Sequence, residues 1–124
     1  MVFAAIFPGQ GSQSVGMMQE LYQSSSKIQN IYEQASSLLG YDLWKLTSSD
    51  DNNQLSSTTY TQPAMLVAGI ASWNHYIDNF DIKPTYMAGH SLGEYTALVC
   101  SGAIEFRDAL SIVKTRAELM QNAV

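Results

Sequence analysis

Gly89-His90-Ser91-Leu92-Gly93 sets a serine between two glycines, directly after the short apolar segment Thr85-Tyr86-Met87-Ala88 and at the head of a helical pattern running from Leu92 to Cys100. The apolar segment reads as a buried strand. A strand that reverses into a helix over so few residues needs a turn too sharp for a Cβ at either glycine. G-x-S-x-G in this setting is the pattern of a nucleophile elbow, with the serine strained and its hydroxyl exposed at a helix N-terminus. There the free N–H groups and the positive end of the helix dipole favour developing negative charge. A simpler reading stands beside it. Ser91 followed three residues later by Glu94 is S-x-x-E, the capping box that starts ordinary helices. The immediate succession of strand, paired glycines and helix favours the elbow, which implies acyl or ester chemistry without saying which.

Composition narrows the class. The chain has 124 residues, 46% of them hydrophobic, which suits one small domain with its own core. A net charge of −5, with six scattered Lys and Arg, argues against a nucleic-acid surface. Cys100 is the single cysteine, so no disulfide forms within the chain, which suits a reducing cytoplasm. Its place late in the elbow helix predicts a buried, inert thiol. Met1 to Phe7 lacks the basic region of a signal peptide, and the longest apolar run, Ala64 to Ala71, is far short of a membrane span. A cytoplasmic protein with no membrane partner is expected.

Val2 to Phe7, wholly apolar and ended by Pro8-Gly9, predicts a parallel strand buried on both faces. Helical patterns follow over Met17 to Tyr22 and Lys27 to Leu39, the second with Ile28, Ile31, Tyr32, Ala35 and Leu38 on one face and Gly40 as its stop. Asp42 to Leu46 suggests a further turn of helix, and Ser48 to Thr59 is polar and loop-like. Thr61-Gln62-Pro63 starts a helix with the proline in its first turn, running to about Asn79 and apolar almost all round. Lys83-Pro84 turns the chain into the second strand, Ser101-Gly102 closes the elbow helix, and a last helix spans about Glu105 to Asn122. This order predicts an α/β fold with parallel strands flanked by helices. Two strands make an incomplete sheet, so the chain looks like part of a larger fold.

Gly9-Gln10-Gly11 after a strand invites a dinucleotide-binding reading, but Ser14 stands where the third glycine belongs. A plain tight turn is one alternative. The other is an oxyanion loop: an elbow enzyme needs an N–H from the residue after the serine and one from a loop after another strand, here Leu92 and Gln10.

On the last helix, Phe106, Ala109, Leu110, Ile112, Val113, Ala117, Leu119 and Met120 share one apolar face at about 100° per residue. Arg107, Lys114 and Glu118 lie opposite. Arg116 falls within the apolar face, where a charge needs a partner. It either pairs with a carboxylate or anchors an anionic substrate group through its two-pronged guanidinium. His75 reads as a packed or surface histidine. His90, next to Ser91, should point away from the hydroxyl, and Glu94 caps or supports the turn.

Phe7-Pro8-Gly9-Gln10-Gly11-Ser12-Gln13, Thr61-Gln62-Pro63-Ala64 and Gly89-His90-Ser91-Leu92-Gly93-Glu94-Tyr95, with Arg116 in a following helix, occur in an order that resembles the malonyl-CoA:acyl-carrier-protein transacylases of type II fatty acid synthesis. Similar acyltransferase domains occur in polyketide synthases. The resemblance covers Val2 to Val124. It implies an α/β-hydrolase-like acyltransferase fold and an enzyme that moves malonyl from malonyl-CoA to the phosphopantetheine thiol of acyl carrier protein. It makes Ser91 the nucleophile, Gln10 and Leu92 the oxyanion-hole amides and Arg116 the holder of the malonyl carboxylate, with no metal or cofactor.

The family is more than twice as long, and its general-base histidine and small ferredoxin-like subdomain lie in the second half. Residues 1–124 then correspond to the N-terminal part of the large subdomain. Nothing in them matches that histidine, so the chain alone is expected to be nearly inactive. An α/β-hydrolase-like or patatin-like esterase shares the elbow but has no use for Arg116. The missing histidine leaves a third reading, an inactive half-domain that binds carrier protein or serves as a scaffold.

Overall fold

A computed structural model of the chain describes residues 2–123. Two strands, β1 (Ala4–Phe7) and β2 (Tyr86–Gly89), pair in parallel, with Ala4 opposite Tyr86 and Phe7 opposite Gly89. Four helices lie between them in the chain: α1 (Gln19–Ser24), α2 (Ser26–Leu39), α3 (Leu43–Ser48) and α4 (Thr58–Asn79). α5 (Gly93–Cys100) and α6 (Phe106–Asn122) follow β2. This is the expected α/β order.

Local chemistry sets the helix ends. The Ser25 hydroxyl accepts from the Ile28 N–H at 3.3 Å to open α2, and Gly40, at φ 85°, closes it. Asp42 caps α3 by accepting from the Lys45 N–H at 3.0 Å. In the polar loop that follows, the Asp50 carboxylate accepts from the N–H groups of Gln54 and Leu55 at 2.7 and 3.0 Å. That turn seats Leu55 in the core.

The starts of α1 and α4 differ from the sequence reading. Met18, left-handed at φ 71°, holds off α1 until Gln19. α4 begins at Thr58 because the Ser57 carbonyl already accepts from Tyr60 and Thr61 at 2.9 and 2.8 Å. Pro63 therefore sits in the second turn, where its missing N–H forgoes the bond to the Thr59 carbonyl.

The core forms where α2, α4 and α6 meet around Ile28, Tyr32, Leu66, Val67, Leu110 and Val113. Leu39, not Leu38, completes the buried stripe of α2, since it stands four residues after Ala35 and seven after Tyr32. α4 is buried from Thr61 to Ala68 and emerges toward its end, where Ile77 is exposed. α6 buries Ala109, Leu110, Val113 and Ala117, but Ile112, Leu119 and Met120 of its apolar face stay exposed beside Arg116. The elements it packs on, chiefly α4 and α2, cover only part of that face.

The strands are not buried on both faces as their composition suggests. Ile6 is 74% and Tyr86 67% exposed, while Phe7 packs edge-on against Trp73 of α4 at 6.4 Å. Among the described residues, α4 and α5 supply a layer on one side of the sheet only.

Tyr32 is buried beside the stacked rings of Tyr22 and Trp44, and its hydroxyl has no partner among the described residues. Burial pushes its pKa, and that of Tyr41, well above the ordinary tyrosine range. The folded state therefore holds these protons more tightly than the unfolded chain. The stability they contribute is complete below about pH 10 and lost as pH rises beyond it. Tyr32→Phe is expected to raise stability at neutral pH by up to about 1 kcal/mol. It should also partly flatten the alkaline loss, with Tyr41 accounting for the rest, as read by urea unfolding at pH values from neutral upward.

Candidate active site

Ser91 sits at φ 56°, in the left-handed region that a serine rarely adopts. The turn around it closes on bare backbone: a Cβ at Gly89 would overlap the Gly93 carbonyl, and one at Gly93 would overlap the Phe7 carbonyl oxygen. The His90 N–H donates to the same Phe7 carbonyl at 3.2 Å, and Gly93 N–H to the His90 carbonyl at 3.0 Å. Leu92, fully buried, pins the turn into the core.

This geometry overturns the capping-box reading. The Glu94 N–H bonds the Ser91 backbone carbonyl at 3.1 Å, and the hydroxyl caps nothing on α5. Glu94 itself is exposed and makes no side-chain hydrogen bond among the described residues, so it neither caps nor braces the turn. The Ser91 Oγ accepts instead from Arg116 Nη2 at 3.3 Å.

Arg116 is half-buried, and its partners are neutral. Its Nη1 donates to Gln62 Oε1 at 2.6 Å, and its guanidinium lies over the Tyr95 ring, 5.4 Å from the centroid. The ion pairs among the described residues, Lys27–Asp78 and Lys45–Asp51, are both at the surface, so the carboxylate partner considered for Arg116 is not found. Gln62 is 1% exposed, and its Nε2 points to the Met120 sulfur at 3.3 Å. An open apolar groove of about 500 Å³ follows α6 past Arg116, lined by Ile112, Thr115, Leu119 and Met120.

The Leu92 and Gln10 N–H groups have no protein acceptor among the described residues. The Gln10 side chain donates to Thr58 Oγ1 at 2.8 Å, which ties its loop to the first turn of α4. The first helix after that loop begins only at Gln19, so the loop does not open directly into a helix as a dinucleotide fingerprint requires.

Neither histidine bonds Ser91 among the described residues. The exposed His90 ring lies toward Gly9, and His75 is a half-buried residue of α4. Cys100 is half-buried, and burial pushes its thiol up to about 12. It lines a separate cavity of about 1120 Å³ along β2, which takes in neither Ser91 nor Arg116.

Sequence reasoning missed Gln62 and Tyr95 as neighbours of the arginine. The available signal for Gln62 was an amide inside the otherwise apolar run that continues from Pro63 to Ala68. For Tyr95, no spacing rule indicated the contact.

A strand-elbow-helix serine stands beside an uncompensated cation, an arrangement suited to acyl or ester chemistry; residues 3–124 match the acyl transferase domain, and the chain belongs to that family. It is 48% identical over 122 residues to the malonyl CoA-acyl carrier protein transacylase of Salmonella typhimurium, covering 98% of this chain and 40% of that protein. Its structure matches the malonyl CoA-acyl carrier protein transacylase of Coxiella burnetii with a TM-score of 0.95 and 46% identity, over all of this chain and 39% of that one. It matches a malonyl-transacylase solved with its type II PKS acyl-carrier protein at a TM-score of 0.94 and 45% identity, over all of this chain and 40% of that one. The chain thus spans about 40% of the length of such curated relatives.

Because a Cβ at Gly93 has only the β1 carbonyl to displace, Gly93→Ala is expected to destabilise the fold by more than about 2 kcal/mol in urea unfolding. With its thiol held protonated, Cys100 is expected to react with a maleimide at neutral pH at least about tenfold more slowly in the native chain than in denaturant.

Proposed function

We propose that this chain supplies the nucleophile and the anion anchor of a malonyl-CoA:acyl-carrier-protein transacylase of fatty acid synthesis. The observation that carries the reading is the half-buried Arg116 with only neutral partners, donating to Ser91 Oγ at 3.3 Å. A guanidinium whose charge no carboxylate cancels attracts an anionic group, and its fork suits a carboxylate. An acyl group attached to Ser91 Oγ with a carboxylate on its next carbon meets that fork.

In this reading the Ser91 oxygen attacks the thioester carbonyl of malonyl-CoA while a base takes its proton. The carbonyl electrons move to oxygen, and the Leu92 and Gln10 N–H groups receive that charge. The carbon–sulfur bond then breaks, coenzyme A leaves as the thiol with a proton returned to it, and malonyl remains as an ester on Ser91. The phosphopantetheine thiol of acyl carrier protein repeats the attack and releases the serine. With few cations on the chain, its share of coenzyme A binding falls to single placed charges and backbone amides.

The base belongs to residues other than 1–124. These residues correspond to the N-terminal part of the large α/β-hydrolase-like subdomain, and a ferredoxin-like small subdomain completes the enzyme. Without that portion, transfer is expected to be nearly absent.

The test mixes the chain with malonyl-CoA, alone and with the complementary 60% of a relative, and reads a malonyl adduct on Ser91 by mass spectrometry. An adduct in the second mixture only is expected, and no adduct in either favours a carrier-binding scaffold. In the assembled enzyme, Arg116→Ala should lower kcat/KM for malonyl-CoA about a hundredfold, the worth of two charge-assisted hydrogen bonds. Uncharged acyl groups should be relatively favoured. An unchanged malonyl preference would overturn the anchor role of Arg116.

A further inference from the structure

We propose that the contact between Gly69 of α4 and Thr96 of α5 sets the separation between Ser91 and Arg116, making Gly69 and Thr96 positioning residues; the consequence for catalysis rests on the transacylase reading. Ser91 leads α5 and Arg116 sits on α6, yet α5 and α6 pack far more on α4 than on each other. The two helices thus meet each other through α4, while β1 and β2 hold α5 from the sheet side. On the α6 side the link is the 2.6 Å hydrogen bond from Arg116 to Gln62.

On the α5 side the link is a helix approach that only a bare Cα permits. A Cβ at Gly69 would stand 2.6 Å from the Thr96 methyl, where ordinary contacts are 3.4–4 Å. Gly69 lies seven residues after Gln62, on the same stripe of α4. Thr96 lies five residues after Ser91 on the elbow helix.

Both residues are locally unfavourable where they stand. A glycine inside a helix is destabilising relative to alanine. Thr96 is 1% exposed, and its hydroxyl has no partner among the described residues, which is also costly. Close approach of the two helices accounts for the glycine. It also assigns the contact to the threonine methyl and not to its hydroxyl.

A methyl at position 69 pushes back either Thr96 or the helix beneath it by about an ångström. A threonine within a helix has two χ1 rotamers, and on this proposal turning to the second does not clear the new methyl, so that the helix moves. The Ser91–Arg116 hydrogen bond, already long at 3.3 Å, does not survive such a shift.

The test compares crystal structures of the chain with Gly69→Ala, Gly69→Ala/Thr96→Ser, which removes the opposing methyl, and Thr96→Val, which keeps it. The Oγ–Nη2 separation is expected to widen by about 1 Å in Gly69→Ala with the Gln62 bond intact. It should return to the parent value in the double variant and stay there in Thr96→Val. In the assembled enzyme the malonyl-to-acetyl ratio of kcat/KM should fall about tenfold in Gly69→Ala and recover in the double variant. A contact that matters for stability alone would shift the Tm and leave that ratio unmoved.

An unaltered separation in Gly69→Ala, or one that stays wide in the double variant, overturns the proposal. If Gly69→Ala does not fold, Thr96→Ser alone decides. Loss of the methyl should let α5 settle toward α4 and change the separation, and no change overturns the proposal. The separation is read without any reaction, so a failure of the malonyl assignment shows itself independently.

Discussion

The backbone of Gly93 lies against the carbonyl of Phe7, and the elbow that carries Ser91 is placed by that contact. Two four-residue strands carry little pairing energy of their own. What holds their register is the end of the pair, where Phe7 stands opposite Gly89 and its carbonyl accepts the His90 N–H. The elbow is thereby fixed against β1, and the loop from Pro8 to Gln10 is fixed beside the elbow. Ser91 is left-handed at a cost of about 1–3 kcal/mol. Burial of Leu92, the next residue, contributes about the same in the opposite direction. Strain and anchor are adjacent in sequence, so the serine cannot relax without drawing a leucine out of the core.

Charge is handled in a comparable way around Arg116. A carboxylate partner would have been the simplest means of holding an arginine on an apolar face, but it would have cancelled the field at Ser91. The Gln62 oxygen and the Tyr95 ring stabilise the guanidinium through a dipole and a quadrupole and leave its net charge in place. The cost is carried by Gln62, buried in the apolar run of α4, with a methionine sulfur as the acceptor for its amide. An enzyme acting only on neutral acyl groups would gain nothing from that arrangement.

Much of this was legible in the sequence, and the failures share a cause. The element order, the stops at Gly40 and Gly102, the elbow glycines and the anomalous angle of Arg116 follow from local rules of turn chemistry and helical period. Ile6 and Tyr86 were misread because apolar composition says that a strand can be buried and not which layers are present to bury it. The capping-box alternative fails, and with it the support expected from Glu94, because S-x-x-E describes a helix entered through ordinary backbone, whereas Ser91 enters at positive φ and its hydroxyl caps nothing on α5. Gln62 was missed because its role depends on a residue 54 positions away. No local pattern carries such information.

The start of α4 explains how a buried amide came to be available at that place. Pro63 leaves the Thr59 carbonyl without its helical donor, so the first turn must be held by other bonds. Thr61 supplies the tether, its hydroxyl sharing one proton between the carbonyls of Leu55 and Ser57 while the residue is wholly buried. Those bonds fix the direction of the first turn, and Gln62 follows directly with its side chain set toward α6. A freely frayed helix start would let the amide turn to water, and Arg116 would lose its acceptor. Thr61-Gln62-Pro63 therefore acts as one unit: the proline creates the need for a side-chain tether, the threonine provides it, and the glutamine between them is held where the arginine requires it.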